Sequence, residues 1–232
     1  MLKIFIPAYN EENVIEKTII DISSLLSKIS NDYKLYLIDD GSTDNTGIIG
    51  SSMKLKNFFY IKCNGPSRRE NLVQSMIKHS NDGDIVCFMD ADRSTGEDAI
   101  KNAVNSIKKG YDIVIGSRYV KGSKIKRKSD RLFISKIFNA FVRFFYGSKI
   151  NDHECGFKFF KADVLKVLVK DMGINYQRKM FWDSEMLIRA QRKNFSILEV
   201  PVFWVEGPKS SLSFSKELPM IWYMLKFWFV KL

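Results

Sequence analysis

Short apolar segments alternate with longer amphipathic segments through the first half of this chain, and this alternation restricts the fold more than any other feature. Strands are predicted over 2–6, 34–39, 58–63, 84–90 and 111–117, and helices over 13–28, 45–54, 68–79 and 97–109. Strand–helix alternation of this kind forms a mostly parallel sheet with helices on both faces. The sequence therefore predicts a doubly wound, Rossmann-like α/β fold.

Polar, acid-rich loops follow three of these strands at their carboxyl ends. They read PAYNEE after the first strand, DDGSTD after the second and DAD after the fourth. A turn with a capping carboxylate explains each loop by itself, but not why acids gather where parallel strands end. Open parallel sheets bind their ligands at this edge. The sequence therefore predicts a ligand site there, suited to a hard cation or a phosphate group.

The second half of the chain is basic and then strongly apolar. Residues 121–131 hold six basic residues and one acid, and the dense apolar run 132–147 follows. This run and the aromatic segment 218–232 are predicted to be amphipathic helices at a membrane interface; ordinary core-facing helices remain the alternative for both. A strand at 156–161, a helix at 182–193 and a final strand at 195–205 complete the predicted elements.

The formal net charge of +11 predicts an anionic partner. A nucleic acid is not the expected one, because the chain has no nucleic-acid-binding motif and acids line the predicted ligand edge. Three cysteines without metal-binding spacing fit a reducing, cytoplasmic setting. No segment reaches the roughly 20 apolar residues of a membrane span. Peripheral attachment at the inner face of the membrane is therefore expected, with a separate membrane-anchoring partner as a further possibility.

Five motifs in order, PAYNEEN, DDGSTDNT, DAD, GSRY and CGFKFFK, resemble glycosyltransferase family 2, and most specifically its polyprenyl-phosphate hexosyltransferases. The resemblance covers about residues 4–204. It implies a GT-A fold and the inverting transfer of a hexose from a nucleotide-sugar donor to a polyprenyl (dolichyl) phosphate, with mannose favoured over glucose. It also implies one transferase domain over 1–217, with a donor half (1–120) and an acceptor half (121–217), before the segment 218–232.

The same resemblance implies a role for individual residues. The residues expected to bind the donor are Pro7, Tyr9, Asn10, Glu11, Asp39, Asp40, Asp90, Ala91, Asp92 and Lys209. Among them, Asp39 and Asp40 would contact the base and ribose. The metal, Mg²⁺ or Mn²⁺, would be held by Asp92, Asp90 and Ser94. The residues expected to bind the acceptor phosphate are Arg118, Arg131 and Ser135. The expected catalytic residues are Asp92, Arg118, Asp183 and Glu185, with helix capping as the alternative for the last two.

The chain departs from the family pattern in three places. The DAD motif continues as RSTGED, the loop after the third strand reads NGPSRREN, and the stretch after the final strand reads WVEGPKSSLSF and lacks the family's arginine. Arg68 and Arg69 of the second stretch are either phosphate contacts or solvated cations. The last departure leaves a catalytically inactive homologue as one alternative. Two others stay open: a family 2 transferase that acts on a saccharide or other lipid-linked glycan, and a nucleotidyltransferase, which shares the sheet plan and metal-binding acids.

Overall fold

The structure is a computed structural model that describes residues 1–67, 69–91, 97–126, 128–175, 178–205 and 214–229. Its strands are β1 (Leu2–Ala8), β2 (Tyr33–Asp39), β3 (Phe58–Lys62), β4 (Ile85–Met89), β5 (Ile113–Ser117), β6 (Lys124–Lys126), β7 (Phe157–Lys161), β8 (Ile197–Pro201) and β9 (Phe203–Val205). Its helices are α1 (Ile15–Ile29), α2 (Thr46–Ser52), α3 (Arg69–Lys78), α4 (Glu97–Lys108), α5 (Ser129–Tyr146), α6 (Ala162–Met172), α7 (Phe181–Arg192) and α8 (Phe214–Trp228).

Seven of the strands form one sheet in the order β3-β2-β1-β4-β7-β5-β8. All neighbours pair in parallel except β7, which runs antiparallel to both β4 and β5. Because β1, β2 and β4 are adjacent and parallel, the acid-rich loops after β1 and β2 and the residue Asp90 after β4 meet at one edge of the sheet, as predicted. The order of the strands reverses between β1 and β4, and this is where open α/β sheets bind ligands.

Helices cover both faces of the sheet, and the side chains of successive residues in each strand lie on opposite faces. On β1, Ile4 and Ile6 pack toward α1 and α4, whereas Phe5 between them packs toward α3, α6 and α7. All three side chains have no exposed surface. This two-residue alternation is the expected geometry of a strand that is buried on both faces.

Three elements differ from the prediction. The final strand is not continuous: β8 pairs with β5 in the main sheet, whereas β9 pairs with β6 in a separate two-stranded sheet. The division falls after Pro201, which has no amide hydrogen to donate to a strand partner. The predicted helix over 132–147 begins earlier, at Ser129 within the basic segment 121–131, and the same segment contains β6, which is absent from the predicted elements. Helix α6 is absent from the predicted elements, although its buried Val164, Leu165, Leu168 and Met172 have helical spacing.

Helices α5 and α8 pack against each other and against α7. The Tyr146 hydroxyl of α5 donates a hydrogen bond of 2.8 Å to the carbonyl of Met224 on α8, and Phe227 lies within ring contact of Phe181 on α7. Their outer sides carry exposed apolar residues, here called the apolar face: Phe133, Ile134, Ile137, Phe144, Phe145, Ile221, Trp222, Leu225, Trp228 and Phe229. No helix within the described ranges is long and apolar enough to span a membrane.

Candidate active site

The loops that follow β1 and β2 are joined by hydrogen bonds at the edge of the sheet. The Asn10 side-chain carbonyl accepts from the amide of Thr43 at 2.8 Å, and the amide of Glu11 donates to the Thr46 hydroxyl at 2.8 Å. Asn10 has a left-handed backbone with φ of 59°, a conformation that asparagine tolerates better than most residues. These contacts fix the first loop, while the neighbouring Tyr9 stays exposed.

Asp39 and Asp40 are buried and accept hydrogen bonds from residues of neighbouring segments. Asp39 accepts from the Tyr60 hydroxyl at 2.7 Å, and burial together with this bond raises the pKa of Tyr60. Asp40 accepts from the amide of Ser67 at 2.9 Å and from the side chain of Asn71 at 2.6 Å. Direct contact with a base or ribose stays a prediction for both carboxylates.

An open cleft of about 540 Å³ lies beside these acids. Gly41, Ser42 and residues 62–67 line it. Because Asp40 binds Ser67, it holds part of this lining in place. The cleft adjoins the ends of β2 and β3, on the donor half of the predicted site.

Asp90 follows β4 directly and is held against the segment that leads into β7. Its amide donates to the carbonyl of Gly156 at 2.9 Å. A Cβ atom added to Gly156 would lie 1.7 Å from the Asp90 carboxylate, so any other residue here would displace this acid. The Asp90 side chain remains 33% exposed, which leaves carboxylate surface available to a ligand.

A group of ionisable side chains, here called the buried charge cluster, lies between Asp90 and α7. It consists of Arg69, Glu154, Lys158 and Asp183. Lys158 binds Asp183 at 2.8 Å and Arg69 binds it at 3.1 Å. Burial by itself would raise the pKa of Asp183, but the two cations hold it below its ordinary value. Asp183 is therefore an ionised carboxylate without solvent exposure.

Glu154 is the second acid of this cluster. Its Oε1 atom accepts from the Ser184 hydroxyl at 2.7 Å, whereas its Oε2 atom is buried and has no hydrogen-bond partner among the residues that the structure describes. The residue as a whole is half-buried, but the end of the carboxyl group is shielded from water. Burial, reinforced by the negative charge of Asp183, raises the pKa of Glu154 to about 8. Glu154 is therefore largely a neutral acid at pH 7.

On the acceptor side, Arg118 is paired inside the protein. Its Nε and Nη2 atoms bind the two carboxylate oxygens of Asp152 at 2.7 Å each, and Arg118 is 5% exposed. Arg131 and Ser135 lie one turn apart on α5, and Ser135 accepts from the Tyr119 hydroxyl at 2.8 Å. In the motif GSRY, the tyrosine therefore binds Ser135 and the arginine binds Asp152. Phosphate binding by these residues stays a prediction.

Asn139 joins α5 to the segment that precedes β7. Its side-chain carbonyl accepts from the amide of His153 at 2.9 Å and lies 2.7 Å from Nδ1 of the same ring. Because a carbonyl oxygen only accepts, Nδ1 carries the hydrogen and Nε2 accepts from Ser148. Burial lowers the pKa of His153 to about 3, so the ring is neutral.

Glu185 lies on the side of α7 that faces α8, away from Asp183. Its carboxylate accepts from Arg178, Arg189 and the Tyr223 hydroxyl, each at 2.7 Å. Glu185 has no exposed surface, so the geometry ties it to the packing of α8 on α7. A catalytic role for Glu185 stays a prediction.

Several predicted site residues lie outside the described residues: Arg68, Asp92, Ser94 and Lys209. Within the described ranges, no three acidic, histidine or cysteine side chains form a ready-made metal site. A metal that bridges to a diphosphate needs only one or two protein carboxylates, with phosphate and water oxygens as its other ligands. The partly exposed carboxylate of Asp90 fits such a metal, which takes oxygen ligands.

Lys158, Glu154 and Asp152 are absent from the predicted site residues. Lys158 gave a signal, because it interrupts the apolar strand FKFF, and a lysine on a buried strand requires a partner. The partner, Asp183, is 25 residues away in sequence, and no local pattern links the two.

Comparison with known proteins agrees with this geometry. The chain matches Glycosyl transferase family 2 over residues 3–169. It is 28% identical over 97% of its length to the glycosyltransferase AglD of Haloferax volcanii, but spans only 37% of that protein. It is 31% identical to a dolichyl-phosphate beta-glucosyltransferase of Saccharomyces cerevisiae, covering 91% of this chain and 70% of the relative. It is 25% identical to polyprenol monophosphomannose synthase of Mycolicibacterium smegmatis, covering 88% and 77%.

Solved structures show the same fold. Glucosyl-3-phosphoglycerate synthase from Mycobacterium tuberculosis, in complex with Mn²⁺, uridine diphosphate and phosphoglyceric acid, superposes with a TM-score of 0.70 at 17% identity. The superposition covers 100% of this chain and 79% of that one. The predicted GT-A fold is therefore confirmed. The family match, the relatives and the acidic sheet edge agree that this chain belongs to glycosyl transferase family 2 and is a glycosyltransferase.

Proposed function

We propose that this transferase moves a hexose, with inversion, from a nucleoside diphosphate sugar to a polyprenyl phosphate at the cytoplasmic face of a membrane. The observation that carries the proposal lies on α5. The first two turns of this helix carry Arg131 and Ser135, which suit a phosphate group, beside exposed residues of the apolar face, which continues to its end. A polyprenyl phosphate joins a phosphate group to a long apolar chain, so its two parts match the polar residues and the apolar face of α5. The relatives named for dolichyl-phosphate and polyprenol substrates support the same acceptor class.

In this proposal the donor lies along the carboxyl edge of the sheet, with its base near the open cleft and its diphosphate near Asp90. Asp90 and Asp92 would hold Mg²⁺ or Mn²⁺, which offsets the charge that develops on the leaving diphosphate. An acceptor phosphate already presents a nucleophilic oxygen, so positioning and charge neutralisation replace a general base. The lysines of β6 and Arg131 supply positive charge where that phosphate would enter.

A transfer assay tests the function. The full chain is incubated with Mn²⁺, a short polyprenyl phosphate and either GDP-mannose or UDP-glucose, with an Asp92→Ala variant and a chelator as controls. We expect a lipid-linked sugar from one of the two donors, lost in both controls. Transfer to a saccharide but not to the lipid phosphate would support the alternative acceptor instead. Nucleotide-sugar binding without transfer to either acceptor would indicate an inactive homologue.

Binding to the membrane is tested on the apolar face. Trp222 is 67% exposed there. Changing it to glutamate removes an exposed aromatic side chain and adds a negative charge. A buried aromatic side chain contributes about 1.5–3 kcal/mol, so we expect partition onto anionic liposomes to fall by about tenfold or more. Ile48 on α2 is 69% exposed on a different element, so Ile48→Glu is the matched control. Equal losses for the two variants, or no loss for Trp222→Glu, would contradict membrane docking through α8.

A further inference from the structure

Arg69 is the first residue of α3, and its side chain enters the space between two carboxylates. Its Nε atom lies 3.1 Å from Asp183, and its Nη1 atom lies 3.7 Å from Asp90. The guanidinium group also lies 4.7 Å from the centre of the Phe88 ring, which it faces. The side chain is only 11% exposed. Arg69 is therefore a fixed cation that links α7 to the end of β4, and not a solvated one.

The Asp183 end of this link is buried and is held by a further cation. Asp183 binds Lys158 on its other oxygen, and Lys158 also donates to the carbonyl of Cys155 at 2.6 Å. Lys158 and Asp183 have no exposed surface. Positive and negative side chains therefore alternate in a series of contacts that runs from Lys158 through Asp183 and Arg69 to Asp90.

Asp90 is restrained from two directions. Gly156 contacts its carboxylate so closely that a side chain does not fit between them, and Arg69 lies toward its Oδ1 atom. A planar guanidinium suits this position because its separate nitrogens reach two carboxylates at once, whereas a lysine ammonium is a single point of charge.

We propose that Arg69 is a positioning residue that fixes the Asp90 carboxylate for the divalent cation of the donor complex, by joining it to Asp183. The inference rests on the proposed function, because it assumes that Asp90 lies at the metal–diphosphate site. Arg69 acts on the metal through Asp90. Groups that orient metal ligands in this way typically change metal affinity by about 10- to 100-fold when they are replaced.

The sign of the effect separates positioning from simple charge. If Arg69 acted only as a nearby positive charge, it would repel a divalent cation, and Arg69→Met would tighten metal binding. If it positions Asp90, the same substitution weakens metal binding. We expect the dissociation constant for Mn²⁺ to rise by about 10- to 100-fold in Arg69→Met, and Arg69→Lys to recover only part of this loss.

The test measures free Mn²⁺ by electron paramagnetic resonance during titration of the full chain, with saturating GDP or UDP and no acceptor. Asp183→Asn gives a second route to the same link, because its remaining oxygen still accepts from Lys158. This variant should also weaken Mn²⁺ binding. It should add no further loss to Arg69→Met, since Asp183 reaches Asp90 through Arg69.

Arg189→Met is the matched control for the loss of a buried arginine. Arg189 binds Glu185 at 2.7 Å on the other side of α7, and its replacement should lower the unfolding temperature without changing Mn²⁺ affinity. Unchanged or tighter Mn²⁺ binding in folded Arg69→Met and Asp183→Asn would overturn the inference alone. Absence of nucleotide-dependent Mn²⁺ binding in the unaltered chain would overturn both the inference and the metal-dependent proposal.

Discussion

Gly156→Ala is expected to reduce sugar transfer by about a hundredfold or more, although the residue carries no side chain. The added Cβ atom would lie 1.7 Å from one carboxylate oxygen of Asp90 and 2.1 Å from its Cγ atom. Ordinary contact begins near 3.4 Å, so the Asp90 carboxylate has to move by more than 1 Å. A displacement of about 1 Å at a reacting site can cost about a hundredfold in rate. Binding of Mn²⁺ with a nucleoside diphosphate should weaken in parallel.

The matched control is Gly116→Ala on β5. A Cβ atom there would lie 2.7 Å from Val202 and 3.0 Å from Cys155, so this variant also crowds the interior but does not touch Asp90. Both variants should lose stability, by about 1–3 kcal/mol for crowding of this kind. Only Gly156→Ala should lose nucleotide-dependent Mn²⁺ binding. Gly156→Ala with unaltered Mn²⁺ affinity and transfer would show that the position of Asp90 is unimportant to the reaction.

Glu154→Gln is expected to change the dependence of stability on pH. The pKa of Glu154 is raised from an ordinary 4.5 to about 8 by burial and by Asp183. Between these values the folded protein holds a proton that the unfolded chain has lost, so the free energy of unfolding falls as pH rises. The stabilisation is complete below about pH 4.5 and is lost by about pH 8. Its slope is at most about 1.4 kcal/mol per pH unit.

Glutamine mimics the neutral acid and cannot ionise, so it removes this slope. Denaturant unfolding at pH 5, 6, 7 and 8 should therefore show Glu154→Gln gaining stability relative to the unaltered chain as pH rises. The total gain should reach several kcal/mol. Glu16, an exposed acid at the start of α1, provides the control, because Glu16→Gln makes the same exchange outside the buried charge cluster. Parallel pH profiles for Glu154→Gln and the unaltered chain would mean that Glu154 is already ionised in the folded protein.

A neutral Glu154 also completes the charge balance of the buried cluster. Arg69 and Lys158 then face two carboxylates, Asp183 and Asp90, so that two positive charges meet two negative charges. An ionised Glu154 would add a third negative charge beside Asp183 in a region of low polarity, where unpaired charges are costly. This balance explains why the cluster tolerates a carboxyl oxygen that has no hydrogen-bond partner in the described part of the chain.

The class of fold and the edge of the sheet on which the candidate site lies follow from the amino-acid sequence. Strands that alternate with amphipathic helices have few ways to bury their apolar faces, and parallel strands necessarily bring their carboxyl ends to one edge. The loops PAYNEE and DDGSTD and the acid Asp90 therefore lie at the edge that the alternation predicts. The division between β8 and β9 does not follow from the sequence, because local periodicity does not show where a strand changes its partner. Helix α6 is a different case, because the helical spacing of its buried residues is present in the sequence.

The pairing of the buried polar residues with one another is visible only in the folded protein. The sequence shows Arg118, Asp152, Arg69 and Asp183 as four charged residues and does not show which of them bind each other. The fold pairs Arg118 with Asp152, 34 positions away, and Arg69 with Asp183, 114 positions away. A buried charge is costly unless an opposite charge lies beside it. Which opposite charges lie close together depends on how α3, α7 and β7 pack, and no local pattern of residues specifies it.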